Sequence, residues 1–154
     1  MASIKIVSWN PQGIQKAGVR TKQKCNFLMT EYNHNHFDIL TLQETHHQSE
    51  ENFPQYINDL KLSHALYHTP ANHTDPYAGI IALVRKDWKV IEKKEIVPGR
   101  LMKLVVQKSK GKIYNIMCVY APPRKSVPGN YEKRLEILKE IENGHDEKKI
   151  NMII

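Results

Sequence analysis

The sequence predicts an α/β fold, formed as one domain over residues 1–154. Short apolar or β-branched runs alternate along it with amphipathic stretches of helical period, and turn residues separate them. One of the runs, Phe37-Asp38-Ile39-Leu40-Thr41-Leu42-Gln43, is almost continuously apolar, which suits a strand covered on both faces. The chain has 154 residues, 40% hydrophobic and 25% charged, enough apolar material for one real core.

The elements follow in order. Ile4 to Trp9 reads as a strand that stops at the turn cluster Asn10-Pro11-Gln12-Gly13. Val19 to about Asn33 reads as a helix, with Phe27, Leu28 and Tyr32 at helical spacing and basic residues opposite. The apolar run 37–43 is the next strand. Residues 49–62 are polar with Phe53, Tyr56, Ile57 and Leu60 interspersed, and fit a short helix or a structured loop. Strands are expected at 63–68 and 78–84, with a polar turn region at 70–77 between them. Leu101 to Gln107 and Ile113 to Tyr120 flank Lys108-Ser109-Lys110-Gly111-Lys112 as a hairpin, where Gly111 serves the turn. A proline-rich loop at 121–128 leads to an amphipathic helix at 130–143, with Leu135, Ile137, Leu138 and Ile141 on its apolar side. Ile150 to Ile154 reads as the start of a strand.

Composition narrows the function classes. No apolar run approaches the roughly 18 residues of a membrane span, and the N-terminus has no signal-peptide core, so an intracellular protein is expected. Cys25 and Cys118 lie too far apart for a zinc knuckle and read as buried free thiols. The formal net charge of +7 favours polyanionic partners, nucleic acid first among them, although the lysines are spread along the chain.

The chemistry-bearing residues sit at strand ends: Ser8-Trp9-Asn10, Leu42-Gln43-Glu44-Thr45 and Val119-Tyr120-Ala121-Pro122. Polar groups at the ends of central strands can converge at one sheet edge. A hard cation such as Mg²⁺ needs oxygen ligands, and one or two carboxylates with water and substrate phosphate suffice. Glu44 is the obvious carboxylate. With Gly79 to Arg85 and Asn115 to Pro122, these stretches resemble, in order and spacing, the W-N-x-x-G, Q-E-T, G-x-x-x-L-V and I-x-x-V-Y-x-P motifs of the endonuclease/exonuclease/phosphatase superfamily. Gln43-Glu44-Thr45-His46 and Val119-Tyr120-Ala121-Pro122 are most similar to the endonuclease domain of LINE-type (non-LTR) retrotransposons.

The resemblance implies a DNA endonuclease domain that hydrolyses phosphodiesters with Mg²⁺, or Mn²⁺ in its place. Glu44 would bind the metal, Asn10 would join or orient the metal shell, and Tyr120 would hydrogen-bond the scissile phosphate. DNA is the implied partner, and nuclear action goes with the family. Arg100, Arg124 and His46 are candidate nucleic-acid contacts. Pro123 stands where many nuclease members carry an Asn. The family's G-D-x-N motif, a later Asp and a final Asp-His pair are absent from the 154 residues. The implied fold is therefore the N-terminal half of a four-layer α/β sandwich (the DNase-like fold), truncated before G-D-x-N. General-base catalysis is worth about 10²–10⁴-fold, and parts that act as a unit fail together, so little or no turnover is expected of this chain alone. The expectation extends to an inner sheet face left bare for want of the second half. Self-association or a complementing chain would follow. Asp146, at the far end of the last strand, cannot replace the absent groups.

The rival readings are a non-catalytic basic module that binds nucleic acid or a partner, and a phosphatase of the same superfamily acting on lipid or inositol phosphates. Smaller signals read more simply. His64, His68 and His73 are expected to be solvated rather than zinc ligands, and His46-His47 to be a loop pair. Lys16, Arg20, Lys22 and Lys24 are expected on a solvated helix face. Arg100 is as readily a solvated charge as a phosphate contact.

Overall fold

Ile6–Trp9 forms β1 and Ile39–Gln43 forms β2, paired in parallel with Trp9 opposite Leu42. The computed structural model describes residues 3–14, 18–121, 129–145 and 149–154. Between β1 and β2 runs helix α1, Val19–Asn35. A 3-10 turn, Glu50–Asn52, and helix α2, Gln55–Leu60, follow β2. Then come β3 (His64–Thr69), β4 (Ile80–Arg85), β5 (Lys89–Val97), β6 (Leu101–Gln107), β7 (Ile113–Val119), helix α3 (Asn130–Asn143) and β8 (Ile150–Ile153). The strands form two four-stranded sheets, in the orders β1-β2-β4-β3 and β5-β6-β7-β8.

Period-two alternation explains how the sheets pack. Ile39, Ile80, Ala82 and Val84 of β2 and β4 point one way and meet Met102, Leu104, Val106, Ile116 and Cys118 of β6 and β7. The alternate residues Leu40, Leu42, Ile81 and Leu83 face outward under Leu28 of α1 and Tyr56, Ile57 and Leu60 of α2. Every residue of β2 is buried, as its unbroken apolar run requires. On the far side, Ile137 of α3 packs on Leu101 and Met117. The layers are thus helix, sheet, sheet, helix: the four-layer α/β sandwich.

This arrangement corrects the expectation of a bare inner face. The chain contributes strands to both sheets, and each inner face covers the other. The crossing from one sheet to the other passes through Trp88, which is buried, into β5. β5 has no counterpart among the strands expected from the sequence. Its lysines and glutamates lie on a sheet edge, where charge blocks unwanted strand pairing. Register shifts between Val90 and Glu92 and between Glu95 and Val97 also break the alternation that would have revealed it. On α3, Leu135 and Leu138 are exposed rather than packed, and Ile137 carries the contact.

Two of the histidines differ from expectation, while His73 is exposed as expected. His64 is buried: its Nε2 lies 3.3 Å from the Phe37 carbonyl and its Nδ1 2.7 Å from Ser63 Oγ. His68 leans on Phe53 with ring centroids 5.2 Å apart, and its Nε2 is buried with no hydrogen-bond partner. Burial first, then the charges of His47 and Lys93, push the His68 pKa down from 6.5 to about 4. Its neutral ring stabilises the fold fully above pH 6.5, and that contribution is lost as pH falls through about 4. We expect a stability loss on the order of 2 kcal/mol across that window from this residue. Urea unfolding at several pH values checks it: His68→Phe should flatten the slope relative to the parent protein.

Candidate active site

Parallel pairing of β1 and β2 sets their C-terminal ends side by side, so Asn10 and Glu44 emerge together. Tyr120 arrives at the same edge from the end of β7, in the other sheet. Backbone hydrogen bonds tie these ends across the sandwich. Gly13 N donates to the Glu44 carbonyl at 2.7 Å, and Thr45 N and His46 N donate to Gly79 and Ala78 at 3.1 and 3.0 Å. Gly79 N then donates to Gly99 at 3.0 Å, and Tyr120 N to Arg100 at 2.8 Å. The site is thus braced from both sheets.

The local backbone is bent out of ordinary strand geometry. Gln12, Glu44 and His46 all have left-handed φ, at 52°, 55° and 62°. Non-glycine residues rarely stay there unless their surroundings hold them, and such residues concentrate at functional sites. Gly79 is required by contact as well as by conformation. Its φ is 109°, and a Cβ there would lie 2.3 Å from Thr45 Oγ1. Gln43, whose role the sequence leaves open, is buried and ties the strands: its Nε2 donates to Ser8 Oγ at 2.9 Å and Thr41 Oγ1 at 3.1 Å.

Glu44 is the centre of the side-chain cluster. Its Oε2 accepts from Asn10 Nδ2 at 2.9 Å, and its Oε1 lies 3.3 Å from His46 Nε2. Asn10 Oδ1 in turn accepts from Gln12 N at 2.9 Å. Asn10 therefore orients the carboxylate, with its own oxygen engaged by the turn. His46 is fixed edge-on to Tyr77, ring centroids 5.3 Å apart. Burial first, and then the negative charge of Glu44, push the Tyr120 hydroxyl pKa above its ordinary value; Arg100 opposes the shift. The hydroxyl consequently stays protonated at neutral pH, a donor rather than a phenolate.

Arg100 is not a solvated charge. Its side chain is 7% exposed, and Nε and Nη2 bind both oxygens of Asp75 at 2.8 and 2.7 Å. The guanidinium carbon sits 4.6 Å from the centroid of the Tyr120 ring. Lys133 of α3 adds a second cation to Asp75 at 3.5 Å. Asp75 escaped the sequence reading because nothing marks an acidic residue in a polar turn as the partner of an arginine 25 positions away. Lys24 is likewise not free in solvent: its Nζ donates to the Gly13 carbonyl. Arg124, proposed above as a nucleic-acid contact, lies outside the described residues, as do Lys16, Pro123 and Asp146.

The donor set decides which ion the site could take. Among the described residues no group of three or more His, Cys, Asp or Glu could hold a metal. A carboxylate 21% exposed and braced by an amide fits a hydrated hard cation, whose remaining ligands are water and phosphate oxygens. Among the described residues no helix is long and apolar enough to cross a membrane.

No protein-family model and no curated protein matches the chain. Solved structures do. TDP2 from D. rerio, complexed with a single-strand DNA product, is similar with TM-score 0.70 and 19% identity, over 97% of this chain and 58% of that one. The human Nocturnin catalytic domain with bound sulfate gives 0.63 and 16%, over 91% and 58%. An AP endonuclease from Leishmania major gives 0.62 and 14%, over 89% and 46%. The chain spans about half the length of these proteins. It has the DNase-like α/β fold that they share.

Proposed function

We propose that this chain carries the metal- and phosphate-binding part of a divalent-metal-dependent DNA phosphodiesterase of the endonuclease/exonuclease/phosphatase superfamily, of LINE retrotransposon type. One observation carries the reading: Asn10, Glu44 and Tyr120 converge at one end of the sandwich from both sheets. The net charge of +7 suits a polyanionic substrate, and one protein of the same fold is seen with a DNA product. Action on nuclear DNA goes with this reading.

Glu44 would hold Mg²⁺ or Mn²⁺, with Asn10 keeping the carboxylate in place. The ion would supply positive charge against the phosphate oxygens. The Tyr120 hydroxyl donates a hydrogen bond to a non-bridging phosphate oxygen, which is strongest as charge builds there. His46 and Arg124 contact the nucleic-acid backbone, and Arg100 acts from behind Tyr120. Among the described residues at the site, no carboxylate is free to take a proton from the attacking water. Glu44 is assigned to the ion, and Asp75 is committed to Arg100 and Lys133. On this reading the described residues bind metal and phosphate without turning over.

Supercoiled-plasmid nicking and oligonucleotide binding test this together, with Glu44→Ala as the control. The expected result is no nicking by either protein, with DNA affinity that falls with salt and rises with Mg²⁺ only when Glu44 is present. Nicking that disappears in Glu44→Ala would overturn the inactivity. DNA binding indifferent to Mg²⁺ in both proteins would favour a non-catalytic basic module.

A further inference from the structure

Outside the Asn10–Glu44–His46 cluster, the densest charged contact at this end of the sandwich is the chain Lys133–Asp75–Arg100. We infer that Asp75 is a positioning residue of the site: its carboxylate holds the Arg100 guanidinium over the Tyr120 ring and so sets where the Tyr120 hydroxyl points. The inference rests on the reading above, in which that hydroxyl meets a phosphate.

A cation 7% exposed is tolerated only when paired and hydrogen-bonded. Asp75 provides that pairing in a fork-to-fork contact at 2.8 and 2.7 Å, the geometry that fixes an arginine most firmly. The remaining nitrogen, Nη1, is buried without a hydrogen-bond partner. What the guanidinium does meet is the Tyr120 ring, 4.6 Å from carbon to centroid, where a cation is attracted by the ring's negative face. Arg100 also accepts from Tyr120 N through its own carbonyl at 2.8 Å. It therefore grips Tyr120 by main chain and side chain together. Holding back Asp75 would release the side-chain grip and leave the main-chain one.

Asp75 is itself set by its loop. Its N donates to the Asn72 carbonyl at 3.1 Å and to Asn72 Oδ1 at 2.9 Å. Its carbonyl accepts from Ala78 N at 3.2 Å. Ala78 and Gly79 then accept from His46 N and Thr45 N, the two residues that directly follow Glu44. One short loop thus fixes the metal-side carboxylate through its backbone and the phosphate-side hydroxyl through its one acidic side chain. Burial alone would raise the Asp75 pKa; the hydrogen bonds and charge of Arg100, with Lys133, outweigh it and hold the carboxyl below its ordinary value. Asp75 is accordingly an anion throughout the neutral range.

The test uses the whole chain with ring-labelled tyrosine, the Tyr120 signal being assigned by its loss in Tyr120→Phe. Asp75→Asn keeps the shape and removes the charge, Asp75→Glu keeps the charge, and Lys133→Ala removes the outer cation only. The readouts are the Tyr120 ring shift by NMR, affinity for a single-stranded oligonucleotide in Mg²⁺, and the melting temperature. The expected result is a displaced Tyr120 signal and about five- to tenfold weaker oligonucleotide binding in Asp75→Asn. Asp75→Glu should recover part of both, and Lys133→Ala should change neither by more than about twofold. A lowered melting temperature with an unmoved Tyr120 signal in Asp75→Asn would overturn the inference and leave Asp75 a purely structural residue. A displaced Tyr120 signal in a protein that never binds oligonucleotide would uphold the positioning role and remove the phosphodiesterase reading instead.

Discussion

Glu44→Gln should weaken Mn²⁺ binding by at least about 100-fold in isothermal titration. Groups that merely orient a metal ligand are worth about 10–100-fold in affinity, and Glu44 is the proposed ligand itself. Glutamine keeps the volume and can still accept from Asn10 Nδ2, which now bonds Oε2 at 2.9 Å. The fold should therefore survive, and the loss can be assigned to charge. Asn10→Ala supplies the comparison. Because Asn10 Oδ1 is engaged by Gln12 N at 2.9 Å, the residue acts on the ion through Glu44. Its removal should cost about tenfold, the lower end of the range for an orienting partner. Equal affinities for the parent protein and Glu44→Gln would place the ion elsewhere.

Gly79→Ala should be strongly destabilising. Two costs add. A φ of 109° is strained for any residue with a side chain, at about 1–3 kcal/mol. The new Cβ would also sit 2.3 Å from Thr45 Oγ1, and Thr45 is fully buried. Overpacking of this kind costs about 1–3 kcal/mol more. A total near 3 kcal/mol or above corresponds to a drop of about 6–12 °C in melting temperature for a domain of this size. Gly18→Ala and Gly129→Ala separate the two terms: both glycines have positive φ, but among the described residues no atom lies within 4 Å of an added Cβ. They should lose less. Thr45 adjoins Glu44, so Gly79→Ala should also weaken Mn²⁺ binding although it alters no ligand. Thermal unfolding by circular dichroism, followed by the titration above, checks both effects.

Much of the fold could be read from local pattern. The helices at 19–35 and 130–143 and the doubly buried strand at 39–43 follow directly from periodicity. What periodicity could not reveal is where long-range contacts override it. β5 hides behind its bulges and its edge lysines. The second sheet was expected from residues beyond the chain, because strand patterns do not say which sheet a strand joins; here β5 to β8 form it. His64 looks polar in sequence, yet the Phe37 carbonyl and Ser63 hydroxyl satisfy it inside the core. The residues of the proposed site, Asn10, Glu44 and Tyr120, stand out in the sequence as polar ends of apolar strands. Asp75 and the buried state of Arg100 do not, because an ion pair formed across 25 positions leaves no trace in either neighbourhood.

The central claim is that the ends of β1, β2 and β7 make one ion- and phosphate-binding site. Paramagnetic broadening of the backbone amide signals by sub-stoichiometric Mn²⁺ tests it most directly. The account predicts that broadening concentrates on residues 9–13, 43–47 and 120, and that Glu44→Gln abolishes it there. Broadening centred on other carboxylates, such as Glu50 and Glu51, and unchanged in Glu44→Gln, would contradict it.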